Sequence, residues 1–259
     1  MKKLLLSLFL IPLAVLANSV NEQCPEFVAH GAPQTSLDES NTQYLCRLNY
    51  AVHYRNDTKT AEWVAERITL EDVSAQVRRR DNFRADTEVP AEHRATLEDY
   101  AGSGYDRGHL APAASNSQTA EIMSESFLLT NMVPQNANKN RGIWRILELR
   151  IRDWVRQGKD IWVVTGTVYE QGHLTIGNGV GVPTHMWKVI YDAGEQKAIA
   201  FYLPNQQGQR IPRSELHTFA MSVNELEAIT GINFHPNLPE NLAHIEAEAP
   251  NLDRWPGIR

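Results

Sequence analysis

Apolar and polar residues alternate with a period of two between residues 48 and 55, a pattern typical of a half-buried β-strand. Its apolar positions are Leu48, Tyr50, Val52 and Tyr54. Asn56 and Asp57 then predict a turn, and residues 60–70 predict a second strand. The two segments are therefore expected to form an antiparallel hairpin.

The period becomes that of an amphipathic helix after Asn140. The apolar stripe of this helix consists of Ile143, Trp144, Leu147, Ile151, Trp154 and Val155. Gly158 is expected to end it. Ser222 and Glu225 form a capping-box pattern that predicts a further helix to about Thr230.

Four more apolar segments predict strands, at residues 127–133, 161–169, 186–191 and 198–203. A short helix capped by Asn116 or Ser117 is expected to reach about Glu125, and residues 172–181 are expected to form a loop. The strands cluster before and after the long helix instead of alternating with helices, which favours an α+β fold.

The first residues have the pattern of a secretory signal peptide. Lys2 and Lys3 precede a short apolar run, and a small-residue cleavage site ends at Ala17. The run is shorter than the ~20 apolar residues needed to span a bilayer. We predict removal of residues 1–17, an N-terminal arm at residues 18–46 and a single domain at residues 47–259. The mature protein is then expected in the periplasm or outside the cell, without a membrane anchor.

Export also bears on the two cysteines, Cys24 and Cys46. In an oxidising compartment they are expected to form one disulfide. Two cysteines without a paired histidine motif are too few for a zinc site.

The charge balance argues against a protein that binds nucleic acid tightly for a structural purpose. Loss of Lys2 and Lys3 from 25 basic residues leaves 23 against 31 acidic ones, a formal charge of −8. Such a binder usually carries an overall basic footprint, whereas an enzyme must release its product. One local basic group consists of Arg78, Arg79, Arg80 and Arg84, and a second consists of Lys139, Arg141, Arg145, Arg150, Arg152, Arg156 and Lys159. Only the basic residues beside the motif described next are expected to bind phosphate.

The tetrapeptide Asp106-Arg-Gly-His109 is the strongest chemical signal in the chain. On an extended backbone Arg107 and His109 would share one face. A fixed cation beside an imidazole suits an anionic substrate whose attacking water must lose a proton. A lone histidine is more often structural, and the other eight histidines are expected to be so. A second stretch, Asn131-Met-Val-Pro-Gln135 followed by Asn140-Arg-Gly-Ile-Trp144 and Glu148, favours the chemical interpretation here.

Together these two stretches resemble the DNA/RNA non-specific endonucleases, which belong to the ββα-metal (His-Me finger) nucleases. The resemblance runs from about Arg80 to about Pro239. It implies a largely antiparallel sheet with helices packed on its faces. It also implies hydrolysis of DNA, and of RNA as well, with little sequence preference and 5′-phosphate products.

The resemblance implies roles for individual residues. His109 would be the general base, Asn140 the protein ligand of one Mg²⁺ ion, with Mn²⁺ as a substitute, and Glu148 the partner of metal-bound water. Arg107 and Arg152 would contact phosphate, and Asn131 would shape the pocket. The residues also permit other interpretations, in which Asn140 caps the helix and Arg152 pairs with Glu148 at i, i+4. Asp106 is expected to hold the loop, and Trp144 to belong to the core.

Two other function classes remain open on the sequence alone. A binding module that has lost catalysis would keep the fold, although the intact set of His109, Asn140 and Glu148 argues against it. A secreted serine esterase would need a Gly-x-Ser-x-Gly elbow, and the sequence contains none.

Overall fold

A seven-stranded antiparallel sheet, in the order β1-β2-β3-β6-β9-β10-β11, forms the centre of the molecule. The computed structural model describes residues 20–74 and 77–259, so the predicted signal peptide lies outside the described residues. The strands are β1 (Thr42–Cys46), β2 (Ala51–Arg55), β3 (Thr60–Ile68), β4 (Asp106–His109), β5 (Met132–Gln135), β6 (Ile161–Val168), β7 (Thr175–Ile176), β8 (Val180–Gly181), β9 (His185–Asp192), β10 (Lys197–Pro204) and β11 (Ala220–Met221). The α-helices are α1 (Val20–Gln23), α2 (Leu70–Ser74), α3 (Leu97–Tyr100), α4 (Ala120–Glu125), α5 (Ala137–Lys139), α6 (Arg145–Arg156), α7 (Val223–Thr230) and α8 (His244–Ala247).

The α+β class and most of the strands are confirmed. β2 and β3 pair as the predicted hairpin, and β6, β9 and β10 occupy the three later apolar segments. The capping box at Ser222 is also present, with Gly231 in the left-handed conformation after α7. These segments have clear periodicity, and burial of their apolar faces is enough to select the fold.

Three local predictions were wrong in detail. Residues 127–133 do not form one strand, because Leu129–Asn131 is a short 3-10 turn and only Met132–Gln135 is extended. The short helix α4 is capped by Thr119, whose hydroxyl accepts from the backbone N–H of Ile122. Residues 172–181 contain the two-stranded hairpin β7–β8.

Each face of the large sheet carries its own apolar cluster. On one face α6 packs through Leu147, Ile151 and Trp154, all of them buried with β-strand residues such as Val64 and Ile190. This same face receives the β4–β5 ribbon through Val133 and its neighbours. The sheet therefore supports one helix and one small ribbon side by side, which brings the two sequence motifs together.

The opposite face is covered by the N-terminal arm and α7. Its cluster contains Val20, Phe27, Trp63, Trp187, Val223, Leu226 and Phe234. Cys24 is bonded to Cys46, which confirms the expected disulfide, and Cys46 ends the edge strand β1. The arm thus contributes a strand and buried side chains, while its separation at residue 46 from the rest of the chain stays a prediction. Within residues 20–74 and 77–259 there is no helix long and apolar enough to span a bilayer.

Candidate active site

The two motifs form a single two-stranded ribbon. β4 and β5 pair antiparallel, with Asp106 opposite Gln135 and His109 opposite Met132. Arg107 and His109 share one face of β4, as the alternation of side chains predicts. Phe83 lies against both, with its ring centre 4.3 Å from the Arg107 guanidinium carbon and 5.7 Å from the His109 ring centre.

Glycine is required at position 108 by the neighbouring strand. A Cβ atom built on Gly108 would lie 2.0 Å from Oε1 of Gln135 and 2.6 Å from its Cβ. Gln135 is fully buried, so its side chain has little freedom to move aside. The glycine of the tetrapeptide therefore lets β5 pack directly across the backbone that carries the base.

A cleft of about 540 Å³ opens over this ribbon and the start of α6. Its lining consists of Arg79, Phe83, Asp106, Arg107, His109, Pro112, Ala113, Ala114, Asn140, Arg141, Arg145, Glu148 and Arg152. Among the described residues that line it there are five arginines against two carboxylates. The local charge is thus opposite to that of the whole chain, which suits a polyanionic ligand.

His109 is partly exposed to this cleft and packed on its other side against aromatic rings. Its imidazole meets Phe127 edge-on, with ring centres 4.9 Å apart. Within the described part of the chain Nε2 is enclosed and has no hydrogen-bond partner. Burial lowers the pKa of His109 to about 3, with Arg79 adding to the effect and Asp81 opposing it. The free imidazole is therefore neutral at physiological pH, the form that can accept a proton.

The Asn140 side chain is oriented by Asp106. Its Nδ2 donates to Oδ2 of Asp106 at 2.9 Å, and Asp106 also accepts from Nε of Arg141 at 2.9 Å. Because a carboxylate can only accept, this contact fixes which end of the amide is the donor. Oδ1 of Asn140 remains on the cleft as a neutral oxygen donor. The expectation that Asp106 holds the loop agrees with these bonds.

The helix that follows is broken, contrary to prediction. Asn136 caps α5 by accepting from the backbone N–H groups of Asn138 and Lys139, so the alternative that Asn140 is the cap was wrong. Residues Asn140–Trp144 form a π-helical turn in which Gly142 has φ −105° and ψ −111°. α6 begins only at Arg145. Asn140 and Glu148 therefore lie on two helical segments joined by a kink, and both still line the cleft.

Glu148 and Arg152 lie one turn apart on α6, and both side chains line the cleft. No ion pair joins them among the salt bridges of the described residues, so the predicted i, i+4 pair does not form. Burial raises the pKa of Glu148, while Lys188, Arg152, Arg145 and Arg79 oppose that rise. The buried Nη1 of Arg152 has no hydrogen-bond partner within residues 20–74 and 77–259.

Asn131 does not reach the cleft. Its Oδ1 accepts from the backbone N–H of Ala111, and its Nδ2 donates to the carbonyls of Ala111 and Ser126, each at 2.9 Å. These bonds use the whole amide to join the end of β4 to the turn before β5. Asn131 thus shapes the site from behind the ribbon. Trp144 is fully buried and belongs to the core, as predicted.

Comparison with known proteins connects this geometry to a family. A sequence model of the DNA/RNA non-specific endonucleases matches residues 30–241, and this range contains every residue of the cleft. The chain belongs to the DNA/RNA non-specific endonuclease family.

Members of this metal-dependent family from distant organisms are similar over most of the chain. A nuclease from Nostoc sp. is 35% identical over 93% of this chain and 90% of its own length. Human mitochondrial endonuclease G is 34% identical over 79% of this chain and 73% of its own. Mouse mitochondrial nuclease EXOG is 32% identical, and the match covers 87% of this chain but only 65% of EXOG.

A solved structure shares the fold. The crystal structure of the EndoG/EndoGI complex contains a chain that aligns with a TM-score of 0.70 and 26% identity. The match covers 84% of this chain and 93% of that one. The ribbon β4–β5 and the helix after it are the ββα unit of the ββα-metal fold, so the fold expected from the resemblance is confirmed.

Arg79 is a residue of this endonuclease site that no sequence motif predicts. It lines the cleft although it lies 28 positions before Arg107, and its Nε donates to Oδ1 of Asp81 at 2.6 Å. Arg79 belongs to the first local basic group, but the spacing of that group does not predict that Arg79, and not its neighbours, lines the cleft. Of the second basic group, Arg141, Arg145 and Arg152 line the cleft, whereas Arg150 donates to the carbonyl of Gly257.

Proposed function

We propose that this protein is an exported Mg²⁺-dependent endonuclease that hydrolyses the phosphodiester bonds of DNA and RNA with little sequence preference. The observation that carries the proposal is that the His109 imidazole and the Asn140 amide, held by Asp106, line one arginine-rich cleft. The disulfide between Cys24 and Cys46 supports an oxidising destination, the periplasm or the cell exterior.

The donor set at the cleft fits one hydrated divalent cation. Oδ1 of Asn140 would hold it, and the Glu148 carboxylate would orient water beside it. Mg²⁺ prefers hard oxygen donors and keeps most of its waters, and Mn²⁺ accepts the same ligands. Among the described residues there is no group of three or more His, Cys, Asp or Glu side chains that could hold a metal, whereas a two-metal nuclease site needs several bridging carboxylates. When bound, the cation supplies Lewis-acid charge at a phosphate oxygen and at the leaving oxygen.

The protein's own groups divide the remaining work. His109 takes a proton from water, whose oxygen attacks phosphorus as the bond to the 3′ oxygen breaks. The products are a 5′-phosphate and a 3′-hydroxyl, which takes its proton from solvent. Arg79, Arg107 and Arg152 bind the phosphate oxygens through several charge-assisted donors. Contacts of this kind reach phosphate and not bases, which accounts for the low sequence preference.

Digestion of circular DNA, linear DNA and RNA, with Mg²⁺, with Mn²⁺ and with chelator, tests the activity and the substrate range. We expect cleavage of all three substrates with either metal, loss with chelator, and products that accept ligation through 5′-phosphate ends. Cleavage that survives chelation would contradict the metal dependence, and intact RNA would restrict the substrate to DNA.

Calorimetric titration of Mg²⁺ tests the metal ligand without relying on turnover. Asn140→Ala should weaken metal binding, whereas Arg152→Ala should leave it nearly unchanged and weaken binding of nucleic acid. A stoichiometry of two ions, or unaltered binding in Asn140→Ala, would overturn the assignment. Intact mass of the exported protein checks that the mature chain begins near Asn18.

A further inference from the structure

A completely buried lysine lies beneath the endonuclease cleft. Lys188 of β9 has no exposed surface. Its Nζ donates to Oγ1 of Thr165 on β6 at 2.6 Å and to the carbonyl of Leu110 at 3.3 Å. Leu110 directly follows His109, so this ammonium group binds the backbone next to the base.

The same ammonium also contacts the start of the helix. Its Nζ lies 5.0 Å from the centre of the Trp144 ring, and Trp144 immediately precedes α6. A cation over the face of an indole is attracted to it. Lys188 therefore connects the large sheet, the end of β4 and the beginning of α6 at one point. Those last two elements carry His109 and Glu148.

Glu66 of β3 interacts electrostatically with Lys188 from the sheet. It is buried, and neither of its carboxylate oxygens has a hydrogen-bond partner within the described residues. Burial raises the pKa of Glu66 to about 8, and Lys188 opposes that rise. Glu148 and Arg152 add one charge of each sign from α6. Burying such charges is costly, and apolar side chains of similar volume often serve stability as well or better.

We propose that Lys188 is a positioning residue that fixes the His109 strand relative to the helix carrying Glu148. The inference rests on the proposed roles of His109 and Glu148. Without the ammonium, the Leu110 carbonyl would lose its donor, and the Trp144 ring would keep only the second lysine near it, Lys139, whose Nζ lies 4.9 Å from the ring centre. The fold could persist with β4 and α6 slightly displaced. A displacement of about 1 Å in a catalytic site can cost on the order of 100-fold in rate.

The test compares Lys188→Met with a matched buried lysine. Lys197 of β10 is also buried, lies against Glu195, and donates to the carbonyl of Arg254, away from the cleft. We expect Lys188→Met to lower kcat by roughly 10- to 100-fold with little change in KM. Lys197→Met should lower the melting temperature and leave kcat unchanged. The wild-type protein must cleave nucleic acid in the same assay. Absence of wild-type cleavage would refute the proposed function, not the role of Lys188.

A double variant separates positioning from stability. Glu66→Gln combined with Lys188→Met removes both ionisable members of the buried pair, so we expect the melting temperature to recover while kcat stays low. Recovery of kcat together with melting temperature would make Lys188 purely structural and overturn the proposal. If Lys188→Met and the double variant both failed to fold, the role of Lys188 would be structural and the proposal would be wrong.

The pH profile gives a further readout that a purely structural role would not move. Burial disfavours the ionised form of Glu148, whereas Lys188, Arg152, Arg145 and Arg79 favour it. In Lys188→Met the acid limb of kcat/KM should therefore move to higher pH. An unshifted limb with unchanged kcat would contradict the proposal.

Discussion

The two faces of the large sheet differ in whether their buried carboxylates are hydrogen-bonded, as two glutamates of β3 show. Glu62 accepts from Nδ1 of His53 at 2.8 Å and from the Thr35 hydroxyl at 3.0 Å. Glu66, four residues along the same strand, has no hydrogen-bond partner in the part of the chain that the structure describes. The first is paired locally beside the arm, whereas the second lies in the field of Lys188, Glu148 and Arg152.

The difference indicates what each face contributes. The arm face combines directly paired charges, large aromatic side chains and a disulfide, all of which favour the folded state. The cleft face keeps charges that are costly to bury but that surround the proposed catalytic groups. Activity and stability should therefore respond to mutation on different faces, and the following predictions test that separation.

The largest expected effect is that of His109→Ala on turnover. Loss of a general base typically costs roughly 10²- to 10⁴-fold in kcat. The imidazole also packs against Phe127, so a modest loss of melting temperature should accompany it. His53→Ala on the arm face is the matched control and should lose stability while keeping its turnover. Comparable turnover in the two variants would refute the role of His109.

Removal of the disulfide should affect stability alone. Cys24→Ser with Cys46→Ser opens a link of sequence separation 22, worth about 3 kcal/mol in the chain-entropy model. Denaturant unfolding measures the loss, and plasmid cleavage well below the unfolding midpoint should match that of wild type. A large drop in cleavage by the folded variant would show that the arm face contributes to the site.

A smaller effect on rate is expected for Glu148→Gln. Mutation of a group that hydrogen-bonds to the ligands or water of a metal centre typically lowers metal affinity or activity by ~10–100-fold. Glu225→Gln, which weakens the capping box of α7, is the control carboxylate and should cost only about 1 kcal/mol of stability. An effect of Glu148→Gln as large as that of His109→Ala would mean that Glu148 has a more direct role.

The last effect concerns the pH dependence of stability. The pKa of His109 is about 3 in the folded protein and near its ordinary ~6.5 in the unfolded chain. Between these values the unfolded chain binds the extra proton, so the free energy of unfolding falls as pH falls. His109→Gln should remove this contribution, giving a shallower decline of melting temperature from about pH 7 to about pH 4.5. Equal slopes would show that the imidazole is less enclosed than the structure indicates.

The sequence predicted the parts of the fold that depend on regular periodicity. The hairpin β2–β3 and strands β6, β9 and β10 could be predicted because each buries a face of alternating or continuous apolar residues. The turn at Leu129–Asn131 could not, because it depends on the Asn131 amide bonding to backbone groups of Ala111 and Ser126. Local propensity carries no information about such contacts.

At the site, the motifs identified the cleft residues that belong to one ββα unit. They did not identify residues that come from distant parts of the sequence. The spacing of Arg107, His109, Asn140 and Glu148 was sufficient because all four belong to one ββα unit. Arg79 reaches the same cleft from a segment without regular structure, and Lys188 contacts the Leu110 backbone from the large sheet beneath it. The bond from Asn140 to Asp106 likewise spans 34 positions, so its orienting effect appears only in three dimensions.

The fit between Gly108 and Gln135 has a consequence for protein engineering. Since the glutamine side chain occupies the space where any larger residue at 108 would place its Cβ, the two positions must be grafted or varied as a pair. The tetrapeptide Asp-Arg-Gly-His, moved alone into another scaffold, would arrive without the strand that holds its backbone. The smallest transferable unit is the whole ribbon, with both strands and the amide of Asn131 that ties their ends together.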